Sequence, residues 1–297
     1  MEAEWHVQHG DTVAWNRPDL QRYTDLIITE PEGIPFLELP APNRFLTQAF
    51  DPKYQNNGNF KYRPGTYILS ASGCWHGQCS FCVEKKEKWQ VREVSAVIDE
   101  IEHCTKLGFR EIFDDSATFP TGEWLTEFVR RLRWQFVQFS CNMRMVDLDY
   151  GMLKHAGFRM LLFGLESANQ KTLDKINKGV KVEDYKYIVK AAKAGLEPHI
   201  AVMFGYPWES DEDAVNTLSI VWWLLKKGYA KTAQSSFYTT PDDQANHSHK
   251  RYVKAIYKVA RSPEFWFNKI RDIHNAEDLK YLWRGIKEGL GIRKDIK

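Results

Sequence analysis

The sequence predicts an α/β chain folded as a partial, TIM-like (β/α)6 barrel, with an extended N-terminal segment and a helical C-terminal extension. Three observations carry this. From residue 66 onward, short apolar runs alternate six times with longer amphipathic ones at spacings of about 25 to 45 residues, as parallel strands joined by crossover helices require. Polar residues gather just after the apolar runs, at the strand ends where β/α folds place their chemistry. Six units are too few to close an eight-stranded barrel, so the sheet should stay open.

The first strand is TYILS at 66–70, followed by a loop with three cysteines. VSAVIDEIEHCTKL at 94–107 has apolar residues at helical spacing and stops at Gly108, a helix-ending signal. Glu111, Ile112 and Phe113 form a short strand running into Asp114 and Asp115. A helix over 121–132, a strand over 136–141 and a helix over 148–155 follow, the last ending near Gly157. RMLLF at 159–163 is the fourth strand, succeeded by helices at 169–176 and 182–194. HIAVMF at 199–204 is the fifth, and Ser210 with Asp213 has the capping-box spacing that opens a helix running to Lys227. TAQSSFY at 232–238 is the sixth. These elements define a core over 64–240. Residues 1–63, rich in proline and without a sustained period, read as a segment wrapping that core; residues 241–297 read as helical, with 251–260 and 276–289 as candidates. Trp134, Trp222 and Trp223 read as core.

Composition narrows the function. The 41 Lys and Arg nearly cancel the 39 Asp and Glu, which removes the basic face that nucleic-acid binding requires. The longest apolar run, LSIVWWLL at 218–225, is far too short to span a membrane. The opening MEAEWHVQHG has neither part of a signal peptide. The expectation is a cytoplasmic globular protein acting on a small molecule or peptide. Five cysteines, an odd number, argue against a disulfide framework. Cys104 sits mid-helix and reads as packing, while Cys141 ends a strand and could face the cavity.

Cys74, Cys79 and Cys82 stand as C-x4-C-x2-C directly after the first strand. Three thiolates on one loop can hold three corners of a [4Fe–4S] cube and leave the fourth iron open. The competing reading is structural zinc in a non-catalytic binding or scaffold protein, which needs a fourth donor such as His76, Cys104 or Cys141.

With this loop go Phe113-Asp114-Asp115, Asn142-Met143-Arg144, the FGLES stretch at 163–167, FGYPWE at 204–209 and LPAPNR at 39–44. Together they resemble the radical S-adenosylmethionine (radical SAM) superfamily over residues 39–240, in the branch that often carries an N-terminal cobalamin-binding domain. The resemblance implies that the three cysteines ligate a [4Fe–4S] cluster whose open iron is chelated by SAM. Reductive cleavage of SAM would then give a 5′-deoxyadenosyl radical that abstracts hydrogen from the substrate. Glu166, flanked by Gly164 and Ser167, matches the position that contacts the SAM amino or ribose groups. Arg144 would pair with the SAM carboxylate, or else with Asp147 at the surface. Asp115 would meet SAM or substrate, and Asp114 would cap the following loop. Gly205 and Pro207 would make a tight turn against adenine, Phe81 would pack on the adenine edge, and Gln234 would face the substrate. A flavodoxin or ferredoxin is the implied reductant.

Two departures bear on the cofactors. The first cysteine spacer has four residues where three is common, and Gly77 would relieve the extra residue through a positive φ. No cobalamin-type domain precedes the linker, and Asp272-Ile273-His274 begins a D-x-H-x-x-G signature that fails at Glu277. Cobalamin, if used, is therefore expected from a missing domain or a partner. Methyl transfer with that cobalamin, and cobalamin-free oxidation, ring closure or rearrangement, both stay open.

Overall fold

The computed structural model describes residues 13–15, 26–28, 35–45, 49–50, 55, 58–132, 136–238 and 246–289. Six strands form one sheet: β1 Gly65–Ile68, β2 Glu111–Asp114, β3 Gln138–Met143, β4 Phe158–Glu166, β5 Glu197–Phe204 and β6 Thr232–Phe237. They lie side by side in chain order, every pair parallel, and among the described residues β1 and β6 do not pair. The result is an open (β/α)6 half-barrel, as the alternation predicts.

Between the strands run α1 Val94–Lys106, α2 Glu123–Leu132, α3 Tyr150–His155, α4 Gln170–Lys175, α5 Tyr185–Lys193 and α6 Asp211–Lys226. The capping box forms as expected: Ser210 Oγ accepts from Asp213 N–H at 3.1 Å, and Asp213 Oδ2 accepts from Ser210 N–H at 3.0 Å. Past the sheet come α7 Lys250–Ala255, α8 Pro263–Arg271 and α9 Ala276–Gly289. The sequence reading missed α8, although Ser262 caps it and Pro263 occupies its first turn.

Alternation along each strand divides the interior in two. Outward residues, among them Phe139, Phe163 and Ile200, join helix residues such as Val97, Ile101 and Phe128 in the main core. Inward residues Phe113 and Met160 pack with Phe60, Tyr67 and Leu162 as a separate lumen plug. Cys104 and Cys141 both belong to the main core, so Cys141 faces the helices rather than the cavity. Trp223 is 40% exposed and is not core; Trp134 lies outside the described residues.

The floor of the barrel is ionic. Arg159 Nε donates to Glu111 Oε1 at 2.6 Å, Arg159 Nη1 to Glu197 Oε2 at 2.8 Å, and Lys61 Nζ bridges Glu197 and Asp278. Burial pushes the Glu197 carboxyl up, but Arg159 and Lys61 outweigh it and hold it at about 2. Removing one member of such a buried set leaves an unpaired charge and costs roughly 3–5 kcal/mol.

Of the 1–63 segment, residues 13–15 pair in parallel with 26–28. Arg44, ending LPAPNR, is buried and donates to Glu100 Oε1 at 2.7 Å and Tyr67 O at 2.8 Å. Gln55 Nε2 donates to Gly65 O at 2.8 Å, while residues 1–12, 16–25, 29–34, 46–48, 51–54 and 56–57 of the expected wrap lie outside the described residues. No helix among the described residues is long and apolar enough to cross a membrane.

Candidate functional site

The site grows from the exit of β1. Asp114, fully buried, accepts from Ser70 N–H at 2.9 Å and from the Ser70 hydroxyl, while its other oxygen accepts from Ser116 N–H at 3.0 Å. Burial pushes its carboxyl up to about 6, against the pull of these hydrogen bonds. Asp114 thus fastens the start of the cysteine loop. Ala71–Ser72 then pairs with Gln90–Val91 to make the base of that loop. Gly73 turns there at φ 69°, where a Cβ would stand 2.9 Å from the Glu87 and Lys88 carbonyl oxygens.

The free end of the loop seats on the turn at 176–179, about 100 residues away in the chain. Ser80 N–H donates to Ile176 O at 2.9 Å, His76 Nε2–H to Asn177 O at 2.7 Å, and Asn177 Nδ2 to Gln78 Oε1 at 3.3 Å. Gly179 has no side chain where one would strike the His76 ring, at 2.5 Å from Cε1. Arg144 donates to Lys178 O and lies over the Trp75 ring, 5.0 Å from its centroid. Gly77, between the first two cysteines, has φ 57°, the left-handed conformation its spacer position calls for.

All five cysteines are free thiols; Cys79 is buried, and Cys74 and Cys82 are half-buried. Burial raises the Cys82 thiol, an N–H from Glu84 opposes this, and the nearby Cys79 and Cys74 thiols raise it further. Among the described residues no three His, Cys, Asp or Glu groups stand close enough to grip an ion as they are. The donor set nevertheless fits an iron–sulfur cluster: three unpaired thiols on one seated loop, with the cations Arg144 and Lys178 beside it to balance anionic charge. Of the fourth donors a zinc reading needs, Cys104 and Cys141 lie in the main core.

β4 ends in an irregularity at Gly164/Glu166, and Glu166 adopts φ 59°. Its Oε1 accepts from Lys178 Nζ at 2.7 Å. Ser167, expected beside it at the cofactor, is fully buried; its hydroxyl lies 3.4 Å from Thr217 Oγ1 and accepts from Asn169 N–H. Arg144 is not at the surface with Asp147, which pairs with Lys190 at 2.8 Å. Asp115 is exposed at the rim, with Asn142 Nδ2 3.5 Å away. Phe81 packs partly buried on the core, 5.8 Å from Lys178 Nζ. Gly205 turns at φ 94° against the Phe237 ring, and Pro207 beyond it is exposed. Gln234 is exposed on β6, in register with Ala201 on the lumen face. The sequence reading missed Lys178, Trp75 and His249; the Asn177-Lys178-Gly179 turn signal was the available clue to the first.

An open half-barrel of parallel β/α units, with a three-thiol loop seated over the C-terminal ends of its strands, defines a class of cluster-bearing barrel. The sequence model of the radical SAM superfamily matches residues 68–221, and the chain belongs to that superfamily of enzymes, whose membership implies a [4Fe–4S] cluster and SAM. It is similar to an uncharacterized methyltransferase of Pyrococcus horikoshii, 25% identical over 192 residues that cover 61% of this chain and 40% of the relative. The fold is similar to that of the radical SAM methyltransferase TsrM from Kitasatospora setae, a structure with cobalamin and a [4Fe–4S] cluster bound: TM-score 0.51, 23% identity, 59% of this chain and 37% of that one. It is also similar to the cobalamin-dependent radical SAM enzyme OxsB: TM-score 0.53, 14% identity, 80% and 34%. The chain thus spans 40% or less of the length of these relatives.

Proposed function

We propose that this chain is the catalytic barrel of a radical SAM enzyme that reductively cleaves SAM at a [4Fe–4S] cluster held by Cys74, Cys79 and Cys82, for hydrogen abstraction from a small-molecule or peptide substrate. The observation that carries this is the seated three-thiol loop beside Arg144, Lys178 and Glu166. Such a cluster supplies one electron to the sulfonium, releasing methionine and a 5′-deoxyadenosyl radical.

The side chains divide the binding work by charge. Glu166 offers a carboxylate to the amino group of SAM, and Lys178 and Arg144 offer cations to its carboxylate; a zwitterion satisfies both. Phe81 supplies an apolar edge for adenine, and the Gly205–Pro207 turn brings backbone close to it. Asp115 and Gln234 face the side where substrate would lie. The Arg44–Glu100 pair and the floor network support 64–240 as the core, with 1–63 and 241–297 as dependent flanks. Electrons would come from a flavodoxin or ferredoxin.

A second reaction on the same barrel is methyl transfer with cobalamin supplied by a separate domain or partner; the cobalamin in the TsrM and OxsB structures favours it. The test begins with anaerobic reconstitution and dithionite. SAM should then yield 5′-deoxyadenosine, and equal yield from Cys79→Ala would overturn the proposal. Methylated product appearing only with added cobalamin-binding partner would select the second reaction.

A further inference from the structure

The turn after β5 is clasped from outside by residues 246–252, which lie beyond the matched family segment. Asn246 N–H donates to Gly205 O at 2.7 Å, and Asn246 Nδ2 to Glu209 O at 3.3 Å. Glu209 is buried, and its Oε2 accepts twice: from Gly205 N–H at 2.7 Å and from His249 Nδ1 at 2.8 Å. The other imidazole nitrogen, Nε2, stands 3.0 Å from Asp211 Oδ1. Since a carboxylate oxygen accepts, Nδ1–H is the donor that holds Glu209. The other charged and titratable groups here are Arg251 and Tyr252, both on Asp211 at 2.5 and 3.1 Å, and Asp213, which acts on Glu209 through space. The Tyr252 ring also meets the imidazole edge-on at 5.2 Å.

The large majority of buried polar atoms in folded proteins find a hydrogen-bond partner. Here Glu209 Oε1 and the Tyr206 hydroxyl are buried with no hydrogen-bond partner among the described residues. Both belong to the turn itself. Gly205 must hold φ 94° for the turn to form, and its N–H is fixed by the oxygen that His249 holds.

We propose that His249 is a positioning residue for SAM: through Glu209 it locks the Gly205 N–H and presets the 205–207 turn for the purine. This rests on the reading of that turn as adenine-facing. Because the three-thiol loop is seated on a different element, the 176–179 turn, His249 acts on cofactor affinity and not on cluster content.

The test uses the full chain, anaerobically reconstituted, with binding of SAM, 5′-deoxyadenosine and methionine each measured by calorimetry well below the thermal midpoint. His249→Phe, which keeps volume but donates no hydrogen bond, should weaken SAM and 5′-deoxyadenosine about tenfold, the worth of one charge-assisted bond of about 1.4 kcal/mol. Methionine binding and iron per chain should not change. His249→Gln, which can still donate to Glu209, should recover most of the loss. If Phe and Gln variants bind 5′-deoxyadenosine like the parent and differ only in thermal midpoint, the clasp is structural and the inference is wrong. If the parent holds its cluster but binds no SAM, the proposed function itself fails, and this inference with it.

Discussion

Lys178 Nζ lies 2.7 Å from Glu166 Oε1, in the space left by the missing side chain of Gly164. A Cβ at Gly164 would stand 2.5 Å from that carboxylate oxygen and 2.7 Å from the ammonium. Gly164→Ala should therefore separate the pair while keeping the strand. The expected outcome is a SAM dissociation constant raised on the order of tenfold, with a stability loss of about 1–3 kcal/mol from overpacking. Calorimetry with SAM and a thermal melt read the two effects separately.

Lys178→Met removes the ammonium but keeps the stem. If Lys178 serves the SAM carboxylate, SAM binding should fall by about tenfold or more, the worth of a hydrogen-bonded charge. Binding of 5′-deoxyadenosine, which lacks that carboxylate, should be unchanged. A parallel loss of both would show that the variant has disturbed the whole rim.

Cysteine replacements should split cleanly. Cys79→Ala should reduce iron and sulfide in reconstituted protein to background and abolish 5′-deoxyadenosine formation. Cys104→Ala, in the main core, should retain both and lose only packing energy, about 1–2 kcal/mol for a small buried side chain. Iron analysis and product chromatography provide the check.

The ionic floor predicts a particular acid response. Glu197 titrates at about 2 in the folded chain against an ordinary value of 4.5. Its contribution is therefore present above pH 4.5 and is lost as pH falls towards 2. Denaturant melts across that window should show a shallower decline for Glu197→Gln than for the parent, from a lower starting stability. An identical slope would mean that Glu197 is not what acid unfolding protonates.

Much of this architecture was legible because it follows from period. Apolar runs ending in glycine-closed helices located all six strands, and the spacing of Cys74, Cys79 and Cys82 located the loop. What escaped depends on local irregularity or on chain return. Ser167 was expected beside the cofactor because it flanks Glu166, yet it shares the two-residue period of Phe163 and Leu165, both in the main core, and so falls on the helix side. Glu166 takes the left-handed turn, and Ser167 is delivered to Thr217. Arg144 was expected to pair with the SAM carboxylate or else with Asp147, and in the structure it donates to the Lys178 carbonyl on a turn 34 residues onward. Such pairings are set by tertiary return, which no local pattern encodes.

The seating of the cysteine loop also dictates an order of assembly. His76 and Asn177 are separated by 101 positions, and Gln78 and Asn177 by 99. During synthesis the three thiols emerge long before the turn that receives them exists. Until the fourth strand and its following helix have formed, the loop is held at its start by Asp114 and at its two-residue base, but its free end has no seat. Sulfur ligands gathered that late cannot act as a nucleus for the chain; they are a product of its folding, ready for iron only once the barrel beneath them stands.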